Sequence, residues 1–69
     1  MYWNLIKLRK ENNMTQLDMA QLIGVKEYQT YGNKELGKTK FNLKEVIIIQ
    51  KHFDKPLDYI FFAEESIKN

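Results

Sequence analysis

The amino-acid sequence predicts a compact all-α domain of five short helices, on three observations. Apolar residues recur at the three- and four-residue spacing of a helix face, as in Val46, Ile49 and Phe53. Turn-forming residues at Asn12-Asn13, Gly24, Gly37 and Pro56 cut the chain into five pieces. Two pieces open on a capping residue with an acid three positions on, Thr15 with Asp18 and Asn42 with Glu45. Sixty-nine residues cannot build two cores, so 1–69 reads as one domain in which successive helices are neighbours.

The first piece, Trp3 to Glu11, puts Leu5 and Leu8 on one face of a helix. The second opens at Thr15, turns Met19, Ala20, Leu22 and Ile23 inward, and stops at Gly24, which tolerates positive φ. Asp18 reaches back to the cap less well than Glu does. The third, Lys26 to about Glu35, holds Tyr28, Gln29, Thr30, Tyr31, Asn33 and Lys34 and no strongly apolar aliphatic residue. So polar a helix either lies idle on the surface or is there to touch something. In the fourth, three consecutive isoleucines suit a buried strand by propensity, but the Asn42–Glu45 box and the length of the periodic segment favour helix. The fifth runs from Pro56, at a first helical position, to Phe62, with Leu57, Ile60 and Phe61 as its apolar residues. Residues 63–69 are expected to fray.

Composition narrows the class further. A 43% hydrophobic fraction with four Tyr, four Phe and one Trp suffices for a folded domain and argues against disorder. There is no cysteine, hence no disulfide and no thiolate metal site. One histidine, His52, and no Ser/His/Asp or paired-acid constellation speak against catalysis; His52 reads as a partly exposed residue near a helix end. No apolar run approaches bilayer-spanning length, and MYWNLIKLRK has its charges after its apolar residues, unlike a signal peptide. A cytoplasmic protein without metal or cofactor is expected. Net charge is only +2, but Lys34, Lys38, Lys40 and Lys44 face a single acid over 34–44, while Asp54, Asp58, Glu64 and Glu65 make 54–65 acidic. That asymmetry is either a solvated surface or the footprint of an anionic partner.

The segment MTQLDMAQLIGV (14–25) resembles the helix-turn-helix of the lambda-repressor and Cro-like (XRE-type) regulators. Thr15, Gln16, Met19, Ala20, Leu22, Ile23, Gly24 and Val25 fit that pattern. Ala20 is small where two helices cross closely, Gly24 sits where a β-carbon strains the turn, and Val25 plugs the angle between the helices. The resemblance covers nearly the whole chain. Leu5, Leu8 and Arg9 match upstream; YGNKELGKTKF (31–41) and LKEVIIIQKHFDKPLDYIFF (43–62) look like small Gram-positive phage or mobile-element members. The chain departs from the pattern by one extra residue between Gly24 and Tyr31, and by Lys26 where a Ser or Thr cap is usual.

The resemblance implies a DNA-binding transcriptional regulator, a repressor acting by operator occlusion, with the third helix in the major groove of double-stranded DNA. Gln29 is then the best base reader, its amide donating and accepting against adenine. Tyr28, Thr30 and Asn33 are further candidates, and Lys26 reaches guanine or a phosphate. Gln16 is expected near a phosphate or base edge, and Lys34, Lys38 and Lys40 on phosphates. Tyr31 reads as core, Tyr28 as either boundary aromatic or reader. The family pairs an arginine of the first helix with the glutamate ending the recognition helix; here these are Arg9 and Glu35, which match only if the extra residue precedes Tyr31. A homodimer on a palindromic operator is expected, with Ile60, Phe61 and Phe62 as its interface. The alternative is a protein-interaction module, an antirepressor or antitoxin, that keeps the fold.

Overall fold

The computed structural model describes residues 1–62; the tail expected to fray lies outside the described residues. Five helices follow in order: α1 (Trp3–Glu11), α2 (Gln16–Ile23), α3 (Tyr28–Glu35), α4 (Leu43–Phe53) and α5 (Leu57–Phe61). Both sequence-predicted capping boxes are formed. The Thr15 hydroxyl accepts from Asp18 N–H at 3.0 Å while Thr15 N–H donates back to the Asp18 carboxylate at 2.8 Å. Asn42 and Glu45 exchange the same two bonds at 2.8 and 3.0 Å. Each box satisfies orphan amides of a first turn and so fixes where its helix begins.

Helix ends are set by left-handed residues. Gly24 (φ 85°) ends α2, and Val25 N–H then reaches Ala20 C=O at 2.9 Å. Gly37 (φ 86°) follows α3, and Lys38 N–H reaches Asn33 C=O at 2.9 Å. The bond back across the left-handed residue satisfies a terminal carbonyl and turns the chain off the helix axis. Asn13 (φ 57°) does this after α1, where Met14 N–H reaches Arg9 C=O at 3.0 Å. Two boundaries differ from the sequence expectation. Pro56 is the N-cap of α5 rather than its first residue, since its ψ of 147° is extended. The third helix starts at Tyr28, so Lys26 and Glu27 belong to the turn before it.

The core unites Leu5 and Leu8 of α1, Met19, Ala20 and Ile23 of α2, Tyr31 of α3, Ile49 and Phe53 of α4, and Ile60 and Phe61 of α5. Rings of Tyr2, Phe41 and Phe61 meet edge-on or tilted, with centroids 5.4–5.7 Å apart, and Phe41 also meets Tyr31 at 6.2 Å. Such edge contacts add about 0.5–1.5 kcal/mol per pair beyond the buried area. They weld the α3–α4 loop and the N-terminal residues onto α5. Asn4 of α1 donates to Tyr59 C=O at 2.8 Å, which joins α1 to α5 as well. The five helices thus close around one core, to which α3 contributes Tyr31.

Candidate nucleic-acid interface

The inner face of α3 is anchored through one carboxylate. Glu35, 2% exposed, accepts from Arg9 Nε at 2.8 Å and Arg9 Nη2 at 3.3 Å, from the Tyr31 hydroxyl at 2.8 Å, and from Gln16 Nε2 at 3.2 Å. Arg9 Nη1 adds a bond to Met14 C=O at 3.0 Å. A buried carboxylate is tolerated only when its charge is matched and its lone pairs are filled, and four donors fill them here. The two residues picked from the sequence as an ion pair are thus in a two-pronged contact, reached from α1 and α3. Burial pushes the Tyr31 phenol well above its ordinary range, and the Glu35 charge adds to this, so Tyr31 keeps its proton and stays a donor. At Gly32, a β-carbon would touch the Gln16 amide at 3.4 Å, an ordinary contact distance, so α2 and α3 meet closely at that point.

A second anchor lies at the far end of α3, and it corrects the sequence reading of Lys34. Its Nζ sits 2.6 Å from Glu45 Oε1 and 5.9 Å from the Phe41 ring centroid, with its side chain only 13% exposed. Lys34 is therefore spent inside the molecule, tying α3 to the capping box of α4, rather than offered to a phosphate. The reason is geometric: Glu45, placed by its box at the start of α4, faces the last turn of α3. Gln16 lies beside the same helix. One N–H of its amide donates to Glu35, and the side chain lies half-buried along α3 from the first position of α2.

The outer face is open. Tyr28, Gln29, Thr30 and Asn33 are all exposed, as are Lys26 before the helix and Lys38 and Lys40 after it. Gln29 and Asn33 stand one turn apart on the face opposite Tyr31 and Glu35. Tyr31 is fully buried, Tyr28 is 49% exposed. The lysines flank the helix at both ends, so the surface offers a polar, hydrogen-bonding ridge between positive charges.

This arrangement matches a known pattern. The helix-turn-helix family pattern spans residues 5–60, from α1 into α5. The chain belongs to the helix-turn-helix family. It is 35% identical over 65 residues to an uncharacterized HTH-type transcriptional regulator, YqaE, of Bacillus subtilis (strain 168), covering 94% of this chain and 55% of the relative. The chain thus spans about half the length of that relative. No solved structure matches. Five helices in this order, with the helix-turn-helix formed by α2 and α3, are the lambda-repressor-like fold.

Two features of the helix-turn-helix unit escaped sequence reasoning. The Gln16–Glu35 bond joins residues on different helices, and no spacing rule announces it. The Lys34–Glu45 pair was hidden because Glu45 was already accounted for as a capping residue, and a carboxylate has lone pairs for both tasks. Of the three proposed interface residues, Ile60 and Phe61 of α5 are buried against their own chain, while Phe62, just after α5, is 57% exposed and lines an apolar hollow together with Phe61.

Proposed function

We propose that this chain is a sequence-specific double-stranded-DNA-binding transcriptional regulator that lays α3 in the major groove. One observation carries the reading: α3 is fixed from behind by Arg9, Gln16, Glu35 and Lys34 while its outward side chains are left unspent. A helix meant only for the core would bury its apolar residues; this one has Tyr31 for that purpose and polar groups elsewhere. In such docking α2 crosses the backbone and the first residues of α3 meet base edges. Gln29 is then the adenine reader, Tyr28, Thr30 and Asn33 make neighbouring contacts, and Lys26, Lys38 and Lys40 take phosphates. Gln16 holds its remaining amide atoms toward the backbone that α2 crosses. The name of the Bacillus subtilis relative agrees with a regulator.

Two copies on a palindromic operator follow from information content, since one helix reads too few base pairs to select a site from roughly 10⁶ competitors. With Ile60 committed to the core, the dimer surface is redrawn around an apolar hollow of about 480 Å³ whose walls include Lys40, Phe41, Leu57, Phe61 and Phe62. Occupying an operator excludes polymerase, which makes repression in the cytoplasm, with no cofactor, the simplest regulatory outcome. The same hollow also favours a second reading, a protein-interaction module such as an antirepressor or antitoxin. Selection of bound sequences from a random duplex pool separates them. A palindromic winner with half-sites about one helical turn apart supports the regulator; no enrichment, with tight capture of a protein partner, supports the module.

A further inference from the structure

Glu27 is an unspent acid at the mouth of the interface. Three acids lie between Met19 and Phe53, namely Glu27, Glu35 and Glu45. Glu35 is held by Arg9 and Glu45 by Lys34. Among the described residues Glu27 has no cation partner and no side-chain hydrogen bond, and it is exposed. Its backbone, in contrast, is fixed: its carbonyl accepts from Thr30 N–H at 3.2 Å and from Tyr31 N–H at 3.4 Å, at an extended φ of −114° and ψ of 139°. It therefore occupies the N-cap of α3 without doing an N-cap's work. Thr15 and Asn42 at the same position of α2 and α4 both close capping boxes. Ser, Thr, Asn or Asp would cap here and Glu does not.

A residue that gives up local stability and sets a negative charge beside a polyanion has to be explained by what it meets there. The N-terminal end of a recognition helix is the end that touches base edges. A carboxylate is acceptor-only, so phosphates repel it, and so do guanine O6 and N7 and thymine O4. Adenine offers an amino group but sets the N7 acceptor beside it. Cytosine offers its N4 amino group as a donor, and carboxylates accept from it. We infer that Glu27 is a specificity-determining residue that accepts a hydrogen bond from a cytosine N4 amino group at one position of each half-site. The repulsion from other base edges makes it a discriminator: it weakens the wrong sites more than it strengthens the right one. This inference rests on α3 lying in the groove.

The test is duplex-pool selection with the full chain as wild type, Glu27→Ala and Glu27→Gln, followed by binding titrations on the wild-type winner and its single-base variants. Glu27 bonds through its backbone alone, so both variants keep the fold, checked by an unchanged helical circular-dichroism spectrum. Wild type is expected to prefer C·G over the other pairs at one position by roughly 5- to 100-fold, the span of a single base mismatch. In Glu27→Ala that preference should fall to about twofold or less, with binding to random DNA tightened. Glu27→Gln should shift the same position toward A·T, because an amide donates to N7 while accepting from N6. Unchanged preference in both variants overturns the inference, and so does a uniform gain in affinity for all sequences, which marks Glu27 as a mere repeller of phosphate. Absence of any wild-type DNA binding overturns the groove reading itself, a separate failure.

Discussion

At the residue scale, three lysines that look alike in sequence have different environments. Lys38 and Lys40 are exposed beside α3, whereas Lys34 is paired with Glu45. Lys38→Ala should weaken binding to specific and random duplexes equally and flatten the salt slope of the two-copy complex by about two units, one from each copy. Lys34→Ala should instead lower the melting temperature, because it strands the Glu45 carboxylate, and should change that slope little. Gln29→Ala should cost about 1–3 kcal/mol at the specific site and little on random DNA, measured by paired titrations. Glu35→Ala should destabilise the fold by about 3–5 kcal/mol in urea unfolding, since it leaves the Arg9 guanidinium, 9% exposed, without its partner. A loss below about 1 kcal/mol would mean the carboxylate does not anchor α3.

At the element scale, the boundaries that depend on local chemistry were legible and those that depend on packing were not. Thr15–Asp18, Asn42–Glu45, Gly24 and Gly37 announce themselves because capping and left-handed turns are decided within a few residues. The start of α3 carries no such signal, so whether Lys26 lay in the helix or in the turn required the tertiary structure. Ile60 and Phe61 illustrate the same limit: apolar residues of a short helix suit a core and an interface equally, and only the tertiary structure shows Ile60 buried and Phe61 packed against the Tyr2 and Phe41 rings. The conformation of the two relevant glycines makes opposite predictions. Gly24→Ala, at φ 85°, should destabilise by about 1–2 kcal/mol. Gly32→Ala, inside α3 with room for a methyl group against Gln16, should stabilise by about 0.5–1 kcal/mol in the same unfolding assay.

At the scale of the whole molecule, the helices form a scaffold that leaves the outer face of α3 exposed. Arg9 and Tyr31 are scaffold residues in this division, and Gln29, Asn33 and the flanking lysines are the offered surface. The proposed self-association uses the opposite kind of surface: Phe62→Ser should lower dimer formation in sedimentation while leaving the monomer's unfolding midpoint nearly unchanged, because Phe62 is exposed. Strictly monomeric behaviour at high concentration, free and on a palindromic duplex, would contradict the dimer. The central claim, that the outer face of α3 and its lysines engage DNA, is tested most directly by the salt dependence of binding to the duplex that wins the pool selection. Lys26, Lys38 and Lys40 from each of two copies imply a plot of log K against log salt falling with a slope of about −5, from roughly −0.9 per neutralised phosphate. A slope near zero, or binding that strengthens as salt rises, would contradict the account.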